Sequence, residues 1–369
     1  MTDRTPRHNS PDPRGVGRRA VLLGAAGLGL AGCTTPTGSS SGTTTPSTSS
    51  ATTSAGSSST MATPPTAITT TPGTTTAATS ATPAAAPLPA SAVWPVPPND
   101  VEPVAKERAA RIVESLTAWG AGQSGTGPAA ARVQATGIPA DRAGALVAAA
   151  TSFHTAGPDA TSRVISAQFG GLTSDQASIL VTYEQWTRDG QGKPVCGGSA
   201  ADVRLTRQGG TWAVTQLNAA APGPARAGPS SLMTAVLGHQ RIHLPPSAAA
   251  DIAAGNLMPK PMQALFDLAG TYEIDVSIVR SAHPTNVFAT DRLSDHTRKR
   301  AVDVWAVNGQ PVVAPSTPTA PAAVVDGFMR AAVDLGAYNV GGPRQLSGPA
   351  YFSDRTHSDH VHLGFDADA

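Results

Sequence analysis

The sequence predicts an α+β protein, two small mixed domains that follow a long polar tether. Three observations carry this reading. Residues 34–95 are almost entirely Ser, Thr, Ala, Pro and Gly, a composition with no apolar periodicity and hence no core of its own. Residues 96–218 place helix-spaced apolar residues ahead of β-branched, partly alternating runs. Residues 232–369 mix the same two periods, and five of the nine histidines lie beyond residue 282.

The chain begins with a basic stretch, then an apolar run from Ala20 to Leu30, then small residues in "LAGC". That order is the layout of an export signal and is short for a permanent membrane span. Leu30, Ala31, Gly32 and Cys33 resemble a bacterial lipobox. The resemblance implies that residues 1–33 are a lipoprotein signal, that Cys33 is lipidated, and that the protein is held at the outer face of the cytoplasmic membrane, by the cell wall. Arg18 and Arg19 leave both the general secretory and the twin-arginine routes open. A tether of ~60 residues would reach roughly 200 Å stretched and ~40 Å relaxed, enough to sample the wall. With only two cysteines in the chain, lipidation of Cys33 would leave Cys196 without a partner, so it is expected as a partly buried thiol. A net charge of +1 gives no reason to expect a nucleic acid as partner.

In the first domain, "VAKERAARIVESLTAW" and "PADRAGALVAAATSF" carry apolar residues at helical spacing, the second with Pro139 and Asp141 near its start. "TSRVISAQF" and "ASILVTYEQW" follow as strands, and "ADVRLTRQGGTWAVTQL" reads as a hairpin turning at Gly209-Gly210. Helices followed by an antiparallel meander resemble the NTF2-like fold, in pattern only. Trp186 and Trp212 are expected in the core. Residues 219–231 read as a linker by composition.

The second domain holds the chemistry. "YEIDVSIVRSAHP" reads as a strand ending near Arg280, and His296 precedes the strand "RAVDVWAV" that carries Asp303. In "THSDHVHLGF", His360 and His362 are two residues apart on a strand and share a face, with Val361 and Leu363 opposite. A hydrolytic zinc site needs three ligands from His, Asp or Glu and a fourth position for water, whose pKa the metal lowers.

The pattern Ser294-x-His296-x(6)-Asp303, followed by His360-x-His362, resembles the zinc D-Ala-D-Ala metallopeptidases, which belong with lysostaphin-type and hedgehog-type domains in one superfamily. The resemblance spans roughly residues 235–369. It implies zinc ligation by His296, Asp303 and His362, assistance from His360, and an Arg280 that holds the substrate carboxylate or steadies the developing oxyanion. Two positions depart from the family. Lys299 stands where a glycine is usual, and His357 stands where many members carry a glutamate base. Asp359-His360 matches the Asp-His pair of other members, so the base remains open among His360, Asp359 and His357. The function implied is hydrolysis of peptidoglycan stem peptides, with the cleft shaped by loops 308–322 and 340–354. The alternatives are a zinc-containing module that binds wall peptide or a partner without catalysis, and a protein whose function lies in ligand binding by the first domain.

Overall fold

The computed structural model describes residues 86–367, apart from 97–98, 156 and 314–320. The expected signal, Cys33 and most of the tether lie outside the described residues. The fold is α+β.

Three helices come first: α1 (Pro103–Thr117), α2 (Thr126–Gln134) and α3 (Ala140–Ala149). Pro103 opens α1 at the position where a missing N–H costs nothing. An antiparallel meander follows, β1 (Thr161–Leu172), β2 (Gln176–Arg188), β3 (Pro194–Gln208) and β4 (Thr211–Ala219), in the order β1-β2-β3-β4. The turn between β3 and β4 falls at Gly209-Gly210, both at positive φ, which glycine adopts without a Cβ clash. Ile112, Leu116, Leu146, Phe153, Ile179 and Val203 lie among the side chains that close the core between helices and sheet. Trp212 is buried there, and its indole N–H donates to Glu102 at 2.9 Å.

The second half runs α4 (Ser231–Leu237), β5 (Ile242–His243), α5 (Pro246–Ala253), α6 (Pro259–Leu268), β6 (Ile274–Ile278), β7 (Ala301–Val307), β8 (Gln310–Pro311), α7 (Ala322–Asp334), β9 (Ala337–Gly341), β10 (Tyr351–Phe352) and β11 (Val361–Phe365). The sheet order is β10-β9-β11-β7-β6-β5, with β8 paired to β7. Ser230 caps α4 by accepting from the Met233 N–H at 3.1 Å. Val276, Val302, Val304, Phe328, Val361 and Leu363 are part of its core.

The halves are not beads on a string. The meander is covered on both faces, which is why β2 reads "ASILVTY" rather than alternating cleanly. Ile179 and Val181 face the helices, whereas Leu180 packs with Ala200 and with Ile278 of the second sheet. Residues 219–231, read as a linker by composition, are tied down. Ala220 N–H donates to Ala200 O, Arg226 N–H to Ala253 O, and Asn256 Nδ2 to Pro222 O. The end of the expected tether is also attached: Ala92 bridges Arg163, and the Trp94 N–H donates to Glu114 at 2.6 Å. Composition marked both segments as polar and small, but it cannot register backbone groups that find partners on a neighbouring surface.

Cys196 corrects a second expectation: it is disulfide-bonded rather than a thiol without a partner. Since the chain has one other cysteine, a disulfide within one chain and lipidation of Cys33 exclude each other.

Lys299 adopts a backbone conformation that glycine favours. Its φ is +65°, the left-handed region that glycine enters without cost and that burdens other residues by about 1–2 kcal/mol. Its N–H reaches His296 O at 2.9 Å and its ammonium reaches Gly255 O at 3.1 Å, which hold the turn despite that strain. Lys299→Gly is expected to stabilise the fold by about 0.5–1 kcal/mol, strain relief outweighing the added chain entropy. Chemical denaturation of the two proteins would measure it, and a clear loss of stability would contradict this account.

Candidate metal centre

The site is built where three central strands meet. Register pairs Asp303 of β7 directly with His362 of β11, so the two side chains leave the same face as cross-strand neighbours. His296 arrives from the turn just before β7. Its Nδ1 lies 2.6 Å from Val279 O, so that nitrogen donates a proton there and Nε2 faces the interior of the site.

Three atoms then converge. His296 Nε2 and Asp303 Oδ1 are 3.1 Å apart, His296 Nε2 and His362 Nδ1 are 3.2 Å apart, and His362 Nδ1 and Asp303 Oδ1 are 3.0 Å apart. Ligands at ~2.0–2.2 Å around a tetrahedral ion sit roughly 3.3–3.6 Å from one another. The triangle is close to that spacing and all three residues are buried, so the donor set fits one small divalent ion.

Beside the triangle, His360 Nδ1 meets Asp359 Oδ1 at 2.6 Å, and its Nε2 is 3.8 Å from Asp303 Oδ1. His360 immediately precedes β11 and is buried with His362. His357 stands further out in the short 3-10 turn Thr356–Ser358, its Nδ1 bound to Asp354 at 2.7 Å. His283 stacks on the His296 ring with centroids 4.0 Å apart. One of its nitrogens comes within 4.8 Å of ligand atoms of His296 and Asp303, so it belongs to the site although no sequence pattern placed it there.

Charge in this pocket is strongly redistributed. Burial opposes ionisation of Asp303, but the charges of His296 and His360, with hydrogen bonds from His296 and His362, hold its carboxyl well below the usual range. Burial likewise opposes protonation of His296 and His360, yet the Asp303 charge raises both, helped at His360 by Asp359. Burial pushes His362 down to about 4 and His283 well below its ordinary value. A neutral His362 beside an ionised Asp303 suits a cation, whereas His296, whose proton Asp303 favours, must lose it to join them.

A cavity of about 430 Å³ opens above these groups. Its walls include His360, His362 and His283, with Phe288, Tyr351 and Arg292 around them. Phe169, Gly170, Gly171 and Leu172 of the first sheet form another wall. The Phe288 ring lies so close to Gly171 that an added Cβ would fall 2.1 Å from it. Arg280 is not among the lining residues. It is half-buried beyond β6, its N–H donates to Asp251 Oδ2 at 3.0 Å, and its Nε has no hydrogen-bond partner among the described residues. The arginine on the cavity wall is Arg292.

Of the residues singled out from sequence, the fold brings together His296, Asp303, His362, His360 and Asp359, and leaves Arg280 off the cavity wall. Sequence reasoning missed His283, Arg292 and the residues of the first sheet. His239 and His243 lie away from the site: His239 packs edge-on to Phe266, and His243 pairs with Asp275.

No family model matches this chain, and no curated protein matches it. Similar solved structures include the association domain of CaMKII from C. elegans, 12% identical with a TM-score of 0.15, covering 16% of this chain and 46% of that one. Another is a protein of unknown function from Mycobacterium tuberculosis, 14% identical with a TM-score of 0.17, covering 44% and 77%. The chain thus spans less than half the length of the first. TM-scores this low carry no argument about fold or activity.

Proposed function

We propose that the protein is a zinc metallopeptidase that hydrolyses peptide bonds in peptidoglycan stems, its second domain resembling the D-Ala-D-Ala peptidases and its first an NTF2-like unit. The observation that supports this most is the triangle of His296 Nε2, Asp303 Oδ1 and His362 Nδ1, with sides of 3.0–3.2 Å, beneath a cavity of about 430 Å³. When bound there, zinc would polarise the scissile carbonyl and lower the pKa of water beside it.

The chain's own residues would do the rest. Asp359 accepts a hydrogen bond from His360 Nδ1–H, which leaves His360 Nε2 as the atom to take a proton from water and later return it to the leaving amine. Both Asp359 oxygens are already engaged, and His357 Nδ1 is engaged by Asp354. These contacts favour His360 as the base. Arg292 offers a guanidinium on the wall for a substrate carboxylate.

The proposed place of action is the outer face of the membrane, reached by export. No described helix is long and apolar enough to cross a membrane. Lipidation of Cys33 would add an anchor, and detergent-phase partitioning that is lost in Cys33→Ala would support it over the alternative in which that cysteine is oxidised.

Purified protein incubated with peptidoglycan or muropeptides is expected to release peptide products. Release should stop with a chelator and fall below detection in His296→Ala. Stoichiometric zinc without release would favour a non-catalytic wall-binding module instead. Absence of zinc by elemental analysis would sink both readings.

A further inference from the structure

The helix α1 has an apolar stripe with one misfit. Lys106 sits among Ala105, Ala109, Ala110 and Val113 and has no exposed surface. A buried ammonium is costly unless paired, and here it meets Asp100 of its own segment and, at 2.6 Å, Asp359 Oδ2 of the second domain. It also lies 4.7 Å from the centroid of the Phe169 ring. A paired buried lysine of this kind is weak evidence for stability, because apolar replacements often do as well. What it does geometrically is hold the carboxylate whose other oxygen holds His360.

Two further contacts come from β1. This strand is at the edge of its sheet, and its Phe169 N–H donates to the same Asp359 Oδ2 at 3.0 Å. The preceding side chain, Gln168, points to the opposite face, is buried, and donates from Nε2 to Asp303 Oδ2 at 2.7 Å. Ser277 donates its hydroxyl to Gln168 Oε1, which sets the amide so that its NH₂ faces the carboxylate. Asp303 therefore presents Oδ1 to the histidines because Oδ2 is already taken.

We propose that the first domain completes the metal centre of the second: Gln168 positions the Asp303 carboxylate, and Lys106 with the Phe169 N–H positions Asp359 and through it His360. This rests on the reading of the site as a zinc centre. Groups that orient ligands in this way typically change metal affinity or activity by about 10–100-fold when removed.

The full chain would be compared with Gln168→Leu, Lys106→Met and the double variant Lys106→Met/Asp100→Asn, which removes one of the two carboxylates left without a cation. Zinc affinity would be read by chelator competition, folding by thermal unfolding, and kcat and KM separately on a muropeptide substrate. Gln168→Leu is expected to weaken zinc about 10–100-fold. The folded Lys106 variants are expected to keep one zinc and to lose at least about tenfold in kcat with KM little changed. Lys106→Met is expected to cost nothing further in a His360→Ala background, since the two act as one unit. A wild type that binds no zinc would overturn the zinc reading and this inference together. A wild type that binds zinc and cleaves, with unchanged zinc affinity in Gln168→Leu or unchanged kcat in a folded Lys106 variant, would overturn this inference alone. So would failure of both Lys106 variants to fold while Gln168→Leu binds zinc normally, since the contacts would then be structural only.

Discussion

Asp303→Ala is expected to abolish both zinc binding and peptide release. The carboxylate is the one anionic member of the triangle. Its Oδ1 is within 3.1 Å of His296 Nε2 and within 3.0 Å of His362 Nδ1, and its Oδ2 accepts from Gln168. Without it, two neutral imidazoles remain to hold a dication, and the loss should exceed the roughly 10–100-fold typical of removing an outlying hydrogen-bond partner. The metal-free fold should suffer too, because removing one partner from a buried charge cluster costs about 3–5 kcal/mol. Elemental analysis and thermal unfolding would measure the two effects. One zinc per chain with ordinary turnover in this variant would refute the ligand assignment.

Asp251→Ala is expected to be the most destabilising change away from the ligands. Asp251 is buried in α5 and accepts four hydrogen bonds: from the N–H groups of Arg280 and Ser281, the Ser281 hydroxyl, and Asn256 Nδ2. Deleting it strands those donors, each at a cost of about 1–3 kcal/mol, less what water or rearrangement recovers. A net loss of about 3–5 kcal/mol follows, in the range seen when buried charged networks are broken. The effect would reach the site, because the segment Asp251 anchors includes Val279, whose carbonyl orients His296. Denaturant unfolding and zinc titration of the same protein would check both parts, and Asp251→Asn should lie between the two. Wild-type stability in Asp251→Ala would show that this carboxylate is not the anchor.

Most of the local structure was legible from residue pattern alone. Apolar spacing in "VAKERAARIVESLTAW" located α1, and the Gly209-Gly210 pair located the turn between β3 and β4. The alternation around Val361 and Leu363 placed His362 on the face opposite the core, which is where the sheet puts it. Strand and helix periods are local, so a local reading finds them. Lys106 was legible in retrospect as a lysine on an apolar stripe, a breach of pattern of the kind that functional sites produce.

The contributions of the first domain had no such signature. Gln168 is one polar residue in a β-run, and the Phe169 N–H is backbone, present at nearly every residue. His283 is separated from His296 by twelve residues of irregular loop, and only the packing stacks their rings 4.0 Å apart. Sequence by itself determined the candidates His296, Asp303, His360 and His362, because their identities and spacing are written in the chain. Only the tertiary structure decided how they are held. Register sets Asp303 opposite His362, and the packing of β1 and α1 against the site brings Gln168 and Lys106 to their carboxylates. Those contacts join residues more than a hundred positions apart, a distance over which no local periodicity carries information.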